Sequence, residues 1–341
     1  MKRIALGILL FLSTMSLHAQ LSPWEPMNRG LLHTLVYTIE IDPVDSLRMY
    51  CGTDYGNLYT STDGGFNWSL ITEGIPTTYS NERVTALFLD KNNTNELYAG
   101  FGGRQSADNL FRSSNRGQLW TAIVTPEDWK YRGVLHVLKT GTSPSRLVCG
   151  LGHAYGIFVS SDEGKSWEHR LTQQGIQVIA AHPANPHLLF AGSAAFHAMH
   201  RSTDGGLNWS GVQSGLPDPT QSGVRAITFS PSDPATIYAG VTGTGRGLYR
   251  STDAGQHWSR LNEVSEISEI AVYPDDERVL YISAIGTGVW RSRDGGATWV
   301  RASEGLPTGN IMRVRIAPGY PVRVFALTLD HAIFRMVDEE L

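Results

Sequence analysis

The chain has 341 residues, 28 Lys and Arg against 32 Asp and Glu for a formal charge of −4, and 36 glycines with only 18 % charged residues. This balance suits one all-β domain rich in short turns and leaves no room for a second domain. A negative net charge argues against general nucleic-acid binding.

In chain order, residues 1–19 read as a transport segment. Lys2 and Arg3 form a charged start, Ile4 to Leu12 an apolar run too short for a membrane span, and Ala19 a small residue before Gln20, where cleavage is expected. Removal of the two positive charges takes the net charge from −4 to −6 (−4 − 2). The mature protein is therefore expected to be periplasmic or secreted, with no transmembrane segment.

From residue 20 onward one eight-residue pattern, Ser-x-Asp-x-Gly-x-x-Trp, recurs. It runs from Ser61 through Asp63 to Trp68, and again at Asp162 and Trp167, Asp204 and Trp209, Asp253 and Trp258, and Asp294 and Trp299. A sixth copy has Asn115 before Trp120. Tryptophan-to-tryptophan intervals of 41 to 52 residues are those of a repeat whose unit is a four-stranded propeller blade, unable to bury its faces alone. Ser and Asp hydrogen-bond the amides of a tight turn, Gly supplies a positive φ, and Trp covers the hairpin.

These turns resemble the Asp-box, or bacterial neuraminidase repeat, of sialidases, sortilin-type receptors, xyloglucanases and photosystem II assembly factors. The resemblance covers the chain from about Trp24 to its end. It implies a fold in which the box is structural and lies away from the binding face.

Each box follows an aromatic position: Tyr59, Phe111, Phe158, His200, Tyr249 and Trp290. A seventh unit with Phe334 follows the last box. Its outer strand is found at the other end, because Trp24 is followed after six residues by Gly30-Leu31, as Trp68 is by Gly74-Ile75, Trp209 by Gly215-Leu216 and Trp299 by Gly305-Leu306. The spacing predicts a seven-bladed propeller over 20–341, closed by the N-terminal strand pairing in the last blade. Cys51 and Cys149 share the place of Ala99, Ala191 and Ala239 on blades one and three. With sheets about 10 Å apart they are too distant for a disulfide and are expected as buried thiols.

Several tempting signals dissolve into the repeat. His200 fills an aromatic position, so His197 and His200 are no metal pair, and neither a metal nor a cofactor is expected. Asn67 and Asn208 lie in glycosylation sequons inside box turns, which disfavours glycan attachment.

What remains lies on the face formed by the blade-to-blade connections and the loops between second and third strands. Arg83, Arg132, Arg225 and Arg313 stand at or just before inner strands, with Arg104 and Arg246 in neighbouring loops. Trp129, beside Tyr131, has no place in the repeat, so it is either a local packing cap or a ligand anchor. The arginines either pair locally, with Glu82 and Asp108 among others, or bind an anionic partner bidentately.

Three function classes follow. The favoured one is a monomeric, non-catalytic module binding a protein, peptide or glycan through this face. The alternatives are a glycoside hydrolase and a purely structural component of an envelope or secreted assembly. Hydrolysis needs two converging carboxylates, and Asp54, Asp108, Glu127, Asp128, Glu266 and Asp330 are scattered over several blades. The sialidase Arg-Ile-Pro motif is absent from the N-terminal region, Arg315-Ile316-Ala317-Pro318 being a poor substitute. Xyloglucanases place their acids between two propellers, and this chain reads as one.

Overall fold

The computed structural model describes residues 23–339 apart from 33–34, 103–108, 130–131, 153–154, 173–174, 194–198 and 330–332. Seven four-stranded antiparallel sheets follow one another, the first six each built from consecutive strands. Their inner strands are Val36–Ile41, Arg83–Leu89, Val134–Lys139, Ile176–Ala181, Ser222–Phe229, Ile267–Val272 and Ile311–Ala317, and they number the blades one to seven. In the seventh sheet the outer strand is Glu25–Pro26. It pairs with Ile333–Asp338, Glu25 opposite Arg335 and Pro26 opposite Phe334. The ring thus closes as the Trp24 spacing predicts, with Phe334 and Arg335 on the outer edge of blade seven covered.

Seven apolar cores each lie between neighbouring blades. One, for example, joins Phe325 and Leu327 of blade seven to Ile39, Met49, Cys51 and Trp68 of blade one. In every blade but the sixth, where Ile282 faces Trp290, a small or slim residue of the second strand faces the aromatic of the third. The pairs include Cys51 with Tyr59, Ala99 with Phe111, Cys149 with Phe158, Ala191 with His200, Ala239 with Tyr249 and Ala326 with Phe334. Ring bulk on one strand is accommodated by lack of bulk on its partner. Both cysteines are free and buried, and burial raises both thiols' pKa.

The box turns are small hydrogen-bond cages. Ser61 Oγ donates to Asp63 Oδ1 at 2.8 Å and accepts from the Gly65 N–H at 2.9 Å, while Asp63 accepts from the Asn67 backbone and side chain. In the other Asp boxes the second carboxylate oxygen accepts from Ser166, Asn208, His257 or Thr298. The sixth box has Leu119 at that position and keeps only the Oδ1 contacts of Asn115. With no donor for a second oxygen, an amide serves where the others need a carboxylate. The two sequon amides are hydrogen-bonded to Asp63 and Asp204.

These bonds hold the Asp162 and Asp294 pKa values down to about 2, through the Ser166 and Thr298 side chains first and their backbone N–H groups next. Asp253 is lowered as well, mainly by the His257 N–H. Between pH ~4 and ~2 the unfolded chain therefore binds more protons than the folded one, so stability is present above this window and is lost as pH falls through it. The melting temperature is expected to drop across that interval, with a shallower slope in Asp162→Asn. A flat acid limb down to pH ~2 would contradict the cage.

Blades are clasped through their outer strands. The Gly74 turn seats against Trp120, whose N–H donates to the Glu73 carbonyl at 2.8 Å. Gly74 has φ +89, and a Cβ there would lie 2.1 Å from the Trp120 carbonyl oxygen, so glycine is required by both backbone and space. Equivalent bonds join Arg29 to Trp68, Ser214 to Trp258 and Glu304 to Trp24. The four clasped tryptophans, Trp24, Trp68, Trp120 and Trp258, are 2–5 % exposed. Trp167, Trp209 and Trp299 lack the glycine and are only partly buried.

Candidate functional site: the mouth of the central channel

Topology fixes the two faces. Loops between second and third strands bond to the blade connections, as Gly56 N–H does to Glu82 O, Gly152 to Gly133 and Ile285 to Glu266. The boxes bond to the opposite loops, as Gly64 does to Leu47 and Gly295 to Arg278. The blade connections, where binding is expected, and the boxes therefore occupy opposite ends of the ring.

The inner strands pack around the axis, and each is interrupted near its start by a bulge, at Tyr37, Thr85, Leu135, Gln177, Arg225, Ser268 and Met312. A bulge bends its strand and re-aims a side chain. Blades are tied here by Thr85 Oγ1 to the Val134 carbonyl and Ser268 Oγ to the Ile311 carbonyl, both 2.7 Å, and by Arg313 Nε to the Tyr37 carbonyl at 2.9 Å.

Below the bulges the channel is crossed by charge. Arg313 pairs with Glu269 at 3.2 Å, and Arg315 pairs with Glu269 and, at 3.8 Å, with Glu40. All four side chains keep 18–25 % exposure, so solvent still reaches them. Burial works against ionisation of Glu269, but Arg315 and Arg313 outweigh it and lower its pKa. Burial wins at Glu40 and raises its pKa, with Arg315 opposing. His136 is driven down to about 4 by burial and by Arg313, so it is neutral at pH 7. Two arginines and two glutamates balance one another, which makes this layer a plug whose cations are already occupied.

Above the plug, Arg83 is exposed and lies over the Tyr37 ring, 5.2 Å from its centroid. Arg132 lies over the Tyr155 ring at 3.4 Å. In each case stacking on a ring occupies one face of the guanidinium. Arg225 bonds to Glu266 at 2.8 Å. Arg246 is exposed on a neighbouring cavity. Of the arginines expected to bind, Arg313 belongs to the plug, whereas Arg83, Arg132, Arg225 and Arg246 stand above it. Arg104 and Tyr131 lie outside the described residues.

Trp129 is not a surface anchor. It is fully buried against Phe158 and Trp167, with ring centroids 5.2 and 4.8 Å away, and its carbonyl accepts from Asn109. The connection between blades two and three has no clasping glycine, and Trp129 fills the space over Trp167 that a Gly-Leu turn fills elsewhere. Trp129→Ala would therefore act on stability.

Among the described residues the loop-face acids are dispersed. Asp54 is on blade one, Glu127 and Asp128 are exposed on the connection from blade two to three, and Glu266 is bonded to Arg225. Asp108, Asp330 and His197 are outside the described residues. His200 is buried in its blade. Among the described residues no three His, Cys, Asp or Glu side chains gather as metal ligands, and no helix is long and apolar enough to cross a membrane.

The tyrosines under the arginines, and the Glu40, His136, Glu269 and Arg315 layer, were not singled out as a site from sequence. The available signal was the presence of ionisable residues within inner strands that are otherwise mostly apolar.

Known proteins resemble this chain along the same lines. Residues 155–284 match the Sortilin-Vps10 family, described as sortilin, neurotensin receptor 3. A xyloglucanase of Hypocrea jecorina is 25 % identical over 272 residues, 72 % of this chain and 28 % of that protein. Among solved structures, YCF48 bound to a D1 peptide superposes with a TM-score of 0.69 at 16 % identity, covering 92 % of this chain and 96 % of the other. An ancestral GH74 enzyme gives 0.68 at 17 % identity, covering 92 % and 46 %. The chain spans about a quarter of the length of the curated xyloglucanases it matches. The sortilin and xyloglucanase resemblances of the boxes reappear in these matches.

Proposed function

We propose that the protein is an exported, non-catalytic propeller that binds an acidic protein or peptide segment at the channel mouth. The observation that carries this reading is the pair Arg83 and Arg132, stacked on tyrosines above a channel whose acids Glu40 and Glu269 are already engaged by Arg313 and Arg315. Like charges gathered at a low-dielectric mouth favour an anionic ligand. A YCF48 structure holding a D1 peptide, in a chain of which 96 % is covered, supports a peptide as ligand. Export rests on the pattern of residues 2–19, which lie outside the described residues.

Glycoside hydrolysis is a second reading, favoured by the xyloglucanase matches. Against it stand the dispersal of the loop-face acids among the described residues and the limited share of those longer enzymes that this chain spans.

Affinity capture from the exported fraction, run in parallel with wild type and Arg83→Ala/Arg132→Ala, separates the readings. An acidic partner eluted by salt and retained about tenfold less by the double variant is expected, since two solvent-accessible charge pairs at up to about 1 kcal/mol each together approach or exceed the ~1.4 kcal/mol of a tenfold change. A partner retained equally by both forms would reject the mouth. Release of oligosaccharides from xyloglucan by the wild type would establish the hydrolase.

A further inference from the structure

A second cavity on the same face, of about 510 Å³, lies beside blade five and the connection to blade six. It is lined by Gln221, Thr244, Arg246, Arg260, Glu263 and Glu266. One wall is the Thr242–Gly247 turn, in which Gly243 and Gly245 have φ of +79 and +73. The opposing acids come from the connection itself. Glu263 pairs with Arg260 at 3.2 Å while 83 % exposed, and Glu266 pairs with Arg225 at 2.8 Å while 43 % exposed. Arg246 makes no ion pair among the described residues, although its carbonyl accepts from Arg260.

Glu266 has an unusual backbone. Its φ is +55, in the left-handed region that a residue with a Cβ adopts at a cost. A carboxylate is thus placed on an arginine from a strained position, in an exposed pair of the kind that adds little stability. Both glutamates are positioned as replaceable counterions, and the site already accommodates carboxylates.

We propose that this cavity is a carboxylate-binding site for acidic side chains of the partner. The incoming carboxylates take Arg246 and displace Glu263 from Arg260 and Glu266 from Arg225. The proposal rests on the reading of the loop face as a binder of acidic polypeptide and places a specific pocket within it. Carboxylate incumbents, rather than a tetrahedral nest, favour an acidic peptide over a sulfated glycan.

The test is fluorescence anisotropy with labelled hexaglutamate on the whole protein, with thermal unfolding recorded for each variant. Glu263→Gln/Glu266→Gln is expected to bind at least about fivefold more tightly than wild type, and Arg246→Ala/Arg260→Ala at least about fivefold more weakly, from the loss of competing or attracting charge. Because Gln keeps the side-chain size at both acids, tighter binding with unchanged unfolding reports displacement. Unchanged affinity in both cavity variants, with weakening by Arg83→Ala/Arg132→Ala, overturns the cavity and leaves the mouth reading intact. Weakening by the cavity variant alone supports the cavity and rejects the mouth. Absence of hexaglutamate binding in every form rejects both, and tighter binding of a sulfated heparin oligosaccharide than of hexaglutamate rejects the peptide assignment.

Discussion

Trp120→Ala is expected to destabilise the protein by roughly 3 to 5 kcal/mol, and Trp209→Ala by less than half as much. Both residues are box tryptophans, and the Trp120 box has the poorer cage, with Asn115 in place of the Asp204 of the other, so the repeat alone would not predict the larger loss at Trp120. Trp120 is 2 % exposed, donates its indole N–H to the Ile71 carbonyl of the preceding blade at 2.7 Å and has its backbone clasped by the Gly74 turn. Trp209 is partly exposed and turns its indole back to its own box, on the Gly206 carbonyl. Removing Trp120 leaves a cavity and an unmet carbonyl between two blades, whereas removing Trp209 thins a surface. Denaturant unfolding of the two variants measures the difference, and equal losses would refute the division into clasped and unclasped blades.

Deletion of residues 20–31 is expected to cost on the order of 5 kcal/mol or more and to drive aggregation, because it removes a buried tryptophan, several interblade hydrogen bonds and the cover of a sheet edge at once. Trp24 is 4 % exposed and donates to the Ala302 carbonyl at 2.8 Å, Met27 receives the Trp68 indole N–H at 2.9 Å, and Glu25–Pro26 pairs with Ile333–Asp338. Size-exclusion chromatography and thermal unfolding read both consequences. A monomeric truncation with unchanged unfolding would remove this segment from the account of closure.

The fold was legible because its signals are local and repeated. Box spacing gave the period, and the Gly-Leu pair six residues after Trp24 located the closing strand, since that pair is the turn that seats on the next blade. Trp129 was less legible for the same reason. It performs the task of that turn with a different residue type, and a lone Trp without a repeat position looks like a surface anchor until its contacts with Phe158 and Trp167 are seen. The plug was obscured because pairing of Glu40 and Glu269 with Arg315 joins three neighbouring blades, six, seven and one, across the closure of the ring. Spacing along the chain carries no trace of a contact between its two ends.

The central claim, that the channel mouth recognises an acidic ligand, is tested most directly by hexaglutamate affinity at about 50 and about 200 mM salt for wild type and Arg83→Ala/Arg132→Ala. Wild-type affinity is expected to fall by about tenfold across this range and the double variant to bind weakly at both concentrations, because the attraction is a screened field of solvent-accessible guanidinium groups. Affinity independent of salt, or equal in wild type and variant, would contradict the claim.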